Sequence, residues 1–285
     1  MMRSMSNMKS LLCASLLFLG ATAAFAQADA PPPQSTVAPP AKAAPETPNS
    51  KQARALLQQM IEKLGGQAYL TFTSMEQEGR AYAFHLGRPD GGGVEFWSFY
   101  RYPDKMRIEQ TKQRDVVDIY NGDKGFEKTY KGVAEMEPEQ VRAYLRQHAH
   151  ALDIVLRQWL PDPSTALFYN GPAVAEQKPC ESVTLFTAKN DEVTIYIDRN
   201  KHLPVKKTFD WRDPVDNLKN QEGEVYDNWK LTQGIMTPYI VMRSHNGDTS
   251  GERFVTVIKY NTEMPDAMFD ANATYDPYKR SGPRQ

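Results

Sequence analysis

The feature that most limits the possible folds is a two-residue alternation of apolar and polar side chains that recurs along the chain. In the stretch Thr194–Trp211 (TIYIDRNKHLPVKKTFDW), Ile195 and Ile197 alternate with polar neighbours, and Phe209 and Trp211 do so after a turn. Such alternation is typical of half-buried antiparallel strands. The stretch is therefore expected to form a hairpin with one apolar face, which either packs a core or lines a cavity.

About a dozen such segments follow one another at a spacing of roughly 8–12 residues, which favours an all-β barrel or sandwich. The first two strands are expected at 69–75 and 80–86, with a turn at 76–79 between them. Two helical segments accompany the strands. One begins at the N-cap Ser50 and ends at Gly65 and Gly66, and the other runs from Pro138 to Leu160 before a proline stop. The fold class is therefore mainly β (α+β).

The N-terminus has the pattern of a secretory signal peptide over residues 1–26, with an apolar run and an Ala-Phe-Ala end, and Met8 is a plausible start. Export to the periplasm is expected. Cys13 lies too early in the apolar run for lipid attachment. Residues 27–49 are rich in Ala and Pro and predict a disordered spacer. A single domain is expected over 50–270, followed by a flexible tail over 271–285.

Composition and motifs exclude several functional classes. The 285 residues carry a net charge of −1, which offers no basic field for a nucleic acid. After removal of the signal peptide, Cys180 is the lone thiol and is expected to pack in a strand. His148 and His150 are two apart on a helix and point apart, so no metal site is expected. No catalytic motif is found, and no enzyme activity or cofactor is expected.

Four stretches carry a resemblance to a known family. They are ARALLQQMIEKLGG, YRYPDKMRIE, DIYNGDKGFEK, and a closing run from IYIDRNKHLPVKK to VIKYNTEMPDAMF. In this order they resemble the periplasmic outer-membrane lipoprotein-sorting or LolA-like lipoprotein-carrier superfamily, as a divergent member. The resemblance implies a half-open antiparallel β-barrel, here of about 11–12 strands, with an N-terminal helix and a central helix covering the concave face. It also implies non-covalent carriage of lipid or lipoprotein acyl chains, with no catalytic residues.

One position departs from the family. In the dedicated carriers a functional arginine precedes the proline of the third-strand turn, and here Tyr102 occupies that place while Arg101 lies one residue earlier. Adjacent strand residues point to opposite faces, so the role does not transfer.

Candidate residues for the apolar cleft and its cover follow from the alternation and the helical spacing. They are Phe72, Phe84, Phe96, Ile108, Leu145, Leu152, Leu156, Trp159, Ile195, Ile197, Phe209 and Trp211.

Three functions fit this reading. The first is a monomeric periplasmic carrier whose partners are an acyl chain, an inner-membrane donor and an outer-membrane acceptor. The second is an envelope sensor or interaction protein on the same scaffold. The third is a secreted hydrolase or sugar-binding module, which would need a converging polar cluster that the sequence does not reveal.

Overall fold

The computed structural model of the chain describes residues 46–274. The expected signal peptide, nearly all of the expected spacer and residues 275–285 lie outside the described residues. The helical segments are α1 Pro48–Leu64, α2 Gln67–Thr71, α3 Pro138–Ala149, α4 Leu152–Ile154, a π-helical turn Val155–Trp159 and a 3-10 helix Asp266–Phe269. Within residues 46–274, none of the helices has the length and apolar character needed to cross a membrane.

Helix α1 begins earlier than the sequence suggested. Thr47 is the N-cap, and its hydroxyl accepts from the backbone N–H of Ser50 at 3.1 Å while the Ser50 hydroxyl accepts from the Thr47 N–H at 2.8 Å. This reciprocal capping box places Ser50 at the third helical position instead of at the cap. At the other end Gly65 has φ +127, and a Cβ there would lie 2.5 Å from the carbonyl oxygen of Gly234. Glycine at position 65 thus lets α1 end against the turn that contains Gly234.

The remaining elements are strands, and all of their pairings are antiparallel. They are β1 Ser74–His85, β2 Arg88–Pro89, β3 Val94–Arg101, β4 Lys105–Gln110, β5 Val116–Asn121, β6 Lys124–Thr129, β7 Gly132–Glu135, β8 Ala166–Ala175, β9 Lys178–Phe186, β10 Glu192–Asp198, β11 Pro204–Arg212, β12 Lys219–Thr232, β13 Ile235–His245 and β14 Asp248–Tyr260.

These strands form one sheet that does not close on itself. Its order is β7-β6-β5-β4-β3-β1-β14-β13-β12-β11-β10-β9-β8, with β2 paired to β1. The pairing of β1 with β14 joins the two ends of the described chain at the centre of the sheet. Strands β7 and β8 are consecutive in the chain but form opposite edges, so residues 136–165 must pass from one edge to the other. The mainly β, half-open architecture expected from the sequence is confirmed, with 14 strands in the described part of the chain instead of 11–12.

The strand count differs for local reasons. No turn separates 69–75 from 80–86. Residues 67–71 form α2, and β1 continues through Gly79, where the pairing with β14 is shifted by a bulge. A Cβ at Gly79 would clash with the backbone of Phe254, so this glycine permits close strand approach where a turn was expected. Strands β2, β7 and β8 were not recognised, and in β8 Gly171 and Pro172 interrupt the alternation.

The largest core cluster lies between α1 and the inner face of the sheet, which is the face that α1 covers. Ala53, Leu57, Met60, Ile61 and Leu64 repeat at three- and four-residue spacing along α1 and are all buried there. The helix packs on β8 and β9 and also touches β13. The burial of five apolar side chains on one stripe is what holds α1 against the sheet.

The outer face of β3–β5 is covered by the C-terminal segment. Met264, Met268 and Phe269 are buried against Phe99, and Ala271 is buried against Val117 and Ile119. The packed region therefore extends to Ala271, one residue beyond the expected boundary at 270.

Candidate ligand-binding cavity

A cavity of about 590 Å³ lies on the inner face of the sheet, beside the packed core of α1. Strands β1, β12, β13 and β14 supply most of its wall, and the ends of α1, α3 and α4 border it. Much of the wall is apolar, including Leu64, Phe72, Met75, Leu152, Val241 and Val255. The volume falls within the range of roughly 300–1,000 Å³ that is usual for small-molecule sites.

Charged side chains form one part of the same wall. Glu224 on β12 lies 2.9 Å from Nζ of Lys207 on β11 and 3.2 Å from Nε of Arg243 on β13. Tyr226 donates a further hydrogen bond to this carboxylate at 2.9 Å. Burial opposes ionisation of Glu224, but the two cations outweigh that penalty and hold its pKa well below the ordinary value. Glu224 is therefore a fixed anion at neutral pH.

Lys207 also determines the path of the central helices. Its side chain is fully buried, and Nζ donates to the carbonyl oxygen of His150 at 2.6 Å. The helix expected to run unbroken from Pro138 to Leu160 ends at Ala149, and α4 begins at Leu152. That prediction of a continuous helix was wrong. At this break the His150 carbonyl is bound by Lys207 and does not continue the helical ladder.

The His150 imidazole fixes the same break from the other side. It stacks on Phe209 with ring centroids 4.0 Å apart, and its Nδ1 donates to the carbonyl oxygen of Arg146 at 2.7 Å. Burial lowers the pKa of His150, although the carbonyl contact opposes that shift. A neutral imidazole is therefore favoured at this position.

Helix α3 covers the mouth of the inner face through aromatic contacts made by its C-terminal half. Tyr144 stacks on Tyr120 of β5 at 3.6 Å, and the Arg146 guanidinium lies 3.5 Å from the ring centroid of Trp211 on β11. None of the residues of α3 is fully buried. A cover held by these contacts and not by a buried apolar stripe is weakly attached.

Helix α3 also carries unsatisfied polar atoms. Tyr144 Oη, Arg146 Nε and Gln147 Oε1 are buried without a hydrogen-bond partner in the described part of the chain. Gln147 also borders the cavity. Buried polar groups without partners are unusual in a protein interior, and three of those in the described part of the chain lie on α3.

A second polar pair lies at the start of α4. Tyr100 on β3 donates to Asp153 at 2.9 Å, and Asp153 borders the cavity. Burial, followed by the charge of Asp153, raises the pKa of Tyr100 well above its usual range. The Asp153 carboxylate is thus tied to the sheet by a neutral phenol.

The structure places the twelve candidate residues in three groups. Phe72 and Leu152 border the cavity. Buried in the cluster around α1 are Phe96, Leu156, Ile195, Ile197 and Phe209, and partly buried against it are Trp159 and Trp211. Half-buried outside that cluster are Phe84, Ile108 and Leu145. A ligand-contacting role stays a prediction for all twelve, and the geometry favours Phe72 and Leu152.

The sequence reading missed Lys207, Glu224, Arg243 and Arg253. A signal was present for one of them, because Lys207 stands in register with the apolar Phe209 and Trp211. A charged residue on an otherwise apolar strand face is a candidate buried ion. The other three emerge only from the pairing of β12, β13 and β14, which aligns Glu224 with Arg243 and Arg253 with Val241.

The remaining expectations concern Arg101, the histidines and the cysteine. Arg101 faces the C-terminal segment and pairs with Asp266, while the Arg157 guanidinium lies 3.4 Å from the ring centroid of Tyr102.

The histidine and the cysteine singled out in the sequence have structural contacts. His148 Nε2 lies 2.7 Å from the Pro103 carbonyl oxygen. Cys180 is free and buried in a strand. Residues 46–274 contain no group of three or more side chains suited to hold a metal ion.

Several solved structures resemble this chain at low sequence identity. A DUF1329 family protein from Desulfovibrio piger has a TM-score of 0.53 and 12% identity, over 79% of this chain and 98% of that chain. A domain from Vibrio parahaemolyticus, described as outer membrane lipoprotein-sorting, has a TM-score of 0.51 and 9% identity, over 79% and 98% of the two chains. A LolA superfamily protein from Nitrosomonas europaea is a looser match, with a TM-score of 0.47 and 12% identity over 76% and 97%.

No protein-family model matches the chain, and no curated protein matches it by sequence. The likeness to the Desulfovibrio and Vibrio structures, at 12% and 9% identity, therefore concerns the fold and not the activity. The described chain has a first helix, a sheet that does not close, and helices between the two edge strands of that sheet. The chain has the fold of the Desulfovibrio DUF1329 structure and the Vibrio lipoprotein-sorting domain, which confirms at the level of the fold the resemblance seen in its sequence.

Proposed function

We propose that the protein is a periplasmic carrier that binds the acyl chain of a lipid or lipoprotein in the cavity beneath α3. The observation that carries this proposal is the cavity of about 590 Å³ with its largely apolar wall, next to the largest cluster of buried apolar residues. The lipoprotein-sorting description of the Vibrio fold neighbour supports the same class of cargo. The signal-peptide pattern at residues 1–26 supports the location.

The energetics suit reversible carriage. Each buried methylene gains about 0.8 kcal/mol, so ten methylenes in the cavity would contribute about 8 kcal/mol before the cost of ordering the chain. Release then requires the cover to open. Helix α3 has no fully buried residue, so its displacement exposes little apolar surface of its own. Donor and acceptor membranes, and a monomeric carrier between them, complete the proposal.

Lipid retention and transfer test this function directly. Native mass spectrometry of protein purified from a membrane-containing host should show co-purified lipid, and the delipidated protein should move labelled lipid between vesicles. Ala81 borders the cavity, so Ala81→Phe should fill it and lower lipid binding at least tenfold. The matched control Ala55→Phe, at an exposed position of α1, should bind as the parent does.

Two results would contradict the proposal. One is equal lipid binding by both phenylalanine variants, which would place the lipid elsewhere. The other is a stable complex with a membrane-protein ectodomain and no lipid transfer, which would favour the sensor on the same scaffold.

A further inference from the structure

One cation in the cavity has no fixed counter-ion. Arg253 lies on the inner face of β14, where its register neighbours are Val241 on β13 and Ala81 on β1. Its guanidinium carbon is 5.2 Å from the ring centroid of Phe96, and the residue borders the cavity. Within residues 46–274 the described contacts of its side chain include this aromatic ring but no ion pair or hydrogen bond. A planar donor with five N–H groups is thus held on an apolar wall with its hydrogen-bonding capacity free.

The nearby charges do not neutralise Arg253. The carboxylate of Glu224 is shared between Lys207 and Arg243, so this group of three carries a net positive charge before Arg253 is added. Burial lowers the pKa of Arg253 to about 10, and the repulsion from Arg243 acts in the same direction against the attraction of Glu224. The guanidinium therefore remains charged at neutral pH, although it is half-buried in the wall of the cavity.

Two other carboxylates border the cavity. Asp153 is bound by the Tyr100 hydroxyl at 2.9 Å. Glu252 neighbours Arg253 along β14, so its side chain starts from the opposite face of the strand. Neither makes an ion pair with Arg253 among the described residues.

We propose that Arg253 binds the anionic head group of the cavity's ligand, a carboxylate or a phosphate, while the attached acyl chain lies along the apolar wall. This rests on the proposed carriage and adds the chemical class of the cargo: an anionic amphiphile with one chain end in reach of β14. Guanidinium groups pair with carboxylate and phosphate oxygens through two parallel hydrogen bonds, which are strongest in poorly solvated sites. A neutral amphiphile of the same length would fill the same wall but leave Arg253 unpaired.

Displacement of the neutral dye Nile red from the delipidated protein measures this preference. The competitors are dodecanoate, dodecyl phosphate and the uncharged dodecanol. The parent protein should bind both anions at least tenfold more tightly than dodecanol. Arg253→Met should lose that preference while still binding dodecanol. The control Arg80→Met removes the adjacent arginine side chain on the opposite face of the sheet, since Arg80 pairs with Phe254, and should keep the preference.

Each other outcome is decisive. If Arg253→Met keeps the preference of the parent for the anions, or if the parent binds dodecanol as tightly as the anions, the role of Arg253 is overturned and carriage stands. If none of the three amphiphiles binds the parent, both proposals fail. If acetate displaces dodecanoate at equal concentration, the site takes small anions and not a head group. Should Arg253→Met fail to fold, Arg253→Gln, which is polar but uncharged, gives the same readout.

Discussion

Helices α1 and α3 both cover the inner face of the sheet, but they cover it in different ways. Helix α1 buries five apolar side chains and is part of the largest core cluster. Helix α3 buries none completely, is held by aromatic contacts of its C-terminal half, and carries three of the unpartnered buried polar atoms in the described part of the chain. The difference shows that α1 is part of the packed core, whereas α3 lies over the cavity. In a carrier the second arrangement is useful, because a cover that is fully packed cannot admit a ligand.

The largest expected effect concerns Lys207, which ties the backbone just after α3 to the sheet. Removing one partner of a buried ion pair usually costs about 3–5 kcal/mol, so Lys207→Met should lower the free energy of unfolding in urea by about 4 kcal/mol. The matched control Lys206→Met, on the opposite face and partly exposed, should change it by less than about 0.5 kcal/mol. The double variant Lys207→Met with Glu224→Leu should recover part of the loss. Equal effects at 206 and 207 would contradict the buried network.

A pair of leucine substitutions compares the two helices directly. Leu57 on α1 is fully buried, and Leu145 on α3 is half-buried. Leu57→Ala should lower the free energy of unfolding by about 3 kcal/mol, whereas Leu145→Ala should cost less than about 1 kcal/mol. Chemical denaturation followed by circular dichroism measures both. A loss at Leu145 as large as that at Leu57 would show that α3 is packed as tightly as α1.

The pH dependence of stability at Asp118 on β5 tests the cost of a largely buried carboxylate. Burial and then Glu127 raise the pKa of Asp118 to about 6, against the hydrogen bond from Gln110. The folded state therefore holds this proton more tightly than the unfolded state, and stability falls as pH rises from about 4 to about 6. Asp118→Asn should raise stability at pH 7 by about 2 kcal/mol and leave it nearly unchanged at pH 3.5. The exposed Asp123→Asn should show no such pH-dependent gain.

A small stability effect is expected at the contact between α3 and β5. Tyr144→Ala removes the stack on Tyr120 and should cost about 1 kcal/mol. Its larger consequence is kinetic, because a less anchored cover should release bound lipid several-fold faster in a stopped-flow transfer experiment. Tyr130→Ala, at a position 88% exposed, should change neither quantity. Unchanged release from Tyr144→Ala would mean that the ligand does not leave past α3.

Particular residues show which features of the fold could be predicted from the sequence. The hairpin Thr194–Trp211 forms as the alternation predicted, and Ile195 and Ile197 are buried on its inner face. The break in the central helix was not predictable, because the apolar spacing continues through His150 and the cause is a distant lysine. The same holds for the bulge at Gly79, where glycine is needed because the backbone of β14 passes close by and not because the chain turns.

The sequence by itself determined the local states: which segments alternate with a period of two, which follow a helical period, and where glycine and proline interrupt them. Those patterns depend on residues close together in the chain, so they can be recognised without knowledge of the fold. The tertiary structure decided which face becomes a core and which a cavity. Strands β7 and β8 form opposite edges, so the segment between them must cross the inner face, and α1 already fills only one part of that face. The space that remains, and the meeting of Arg253, Arg243 and Glu224 on its wall, follow from strand pairing across distant parts of the chain.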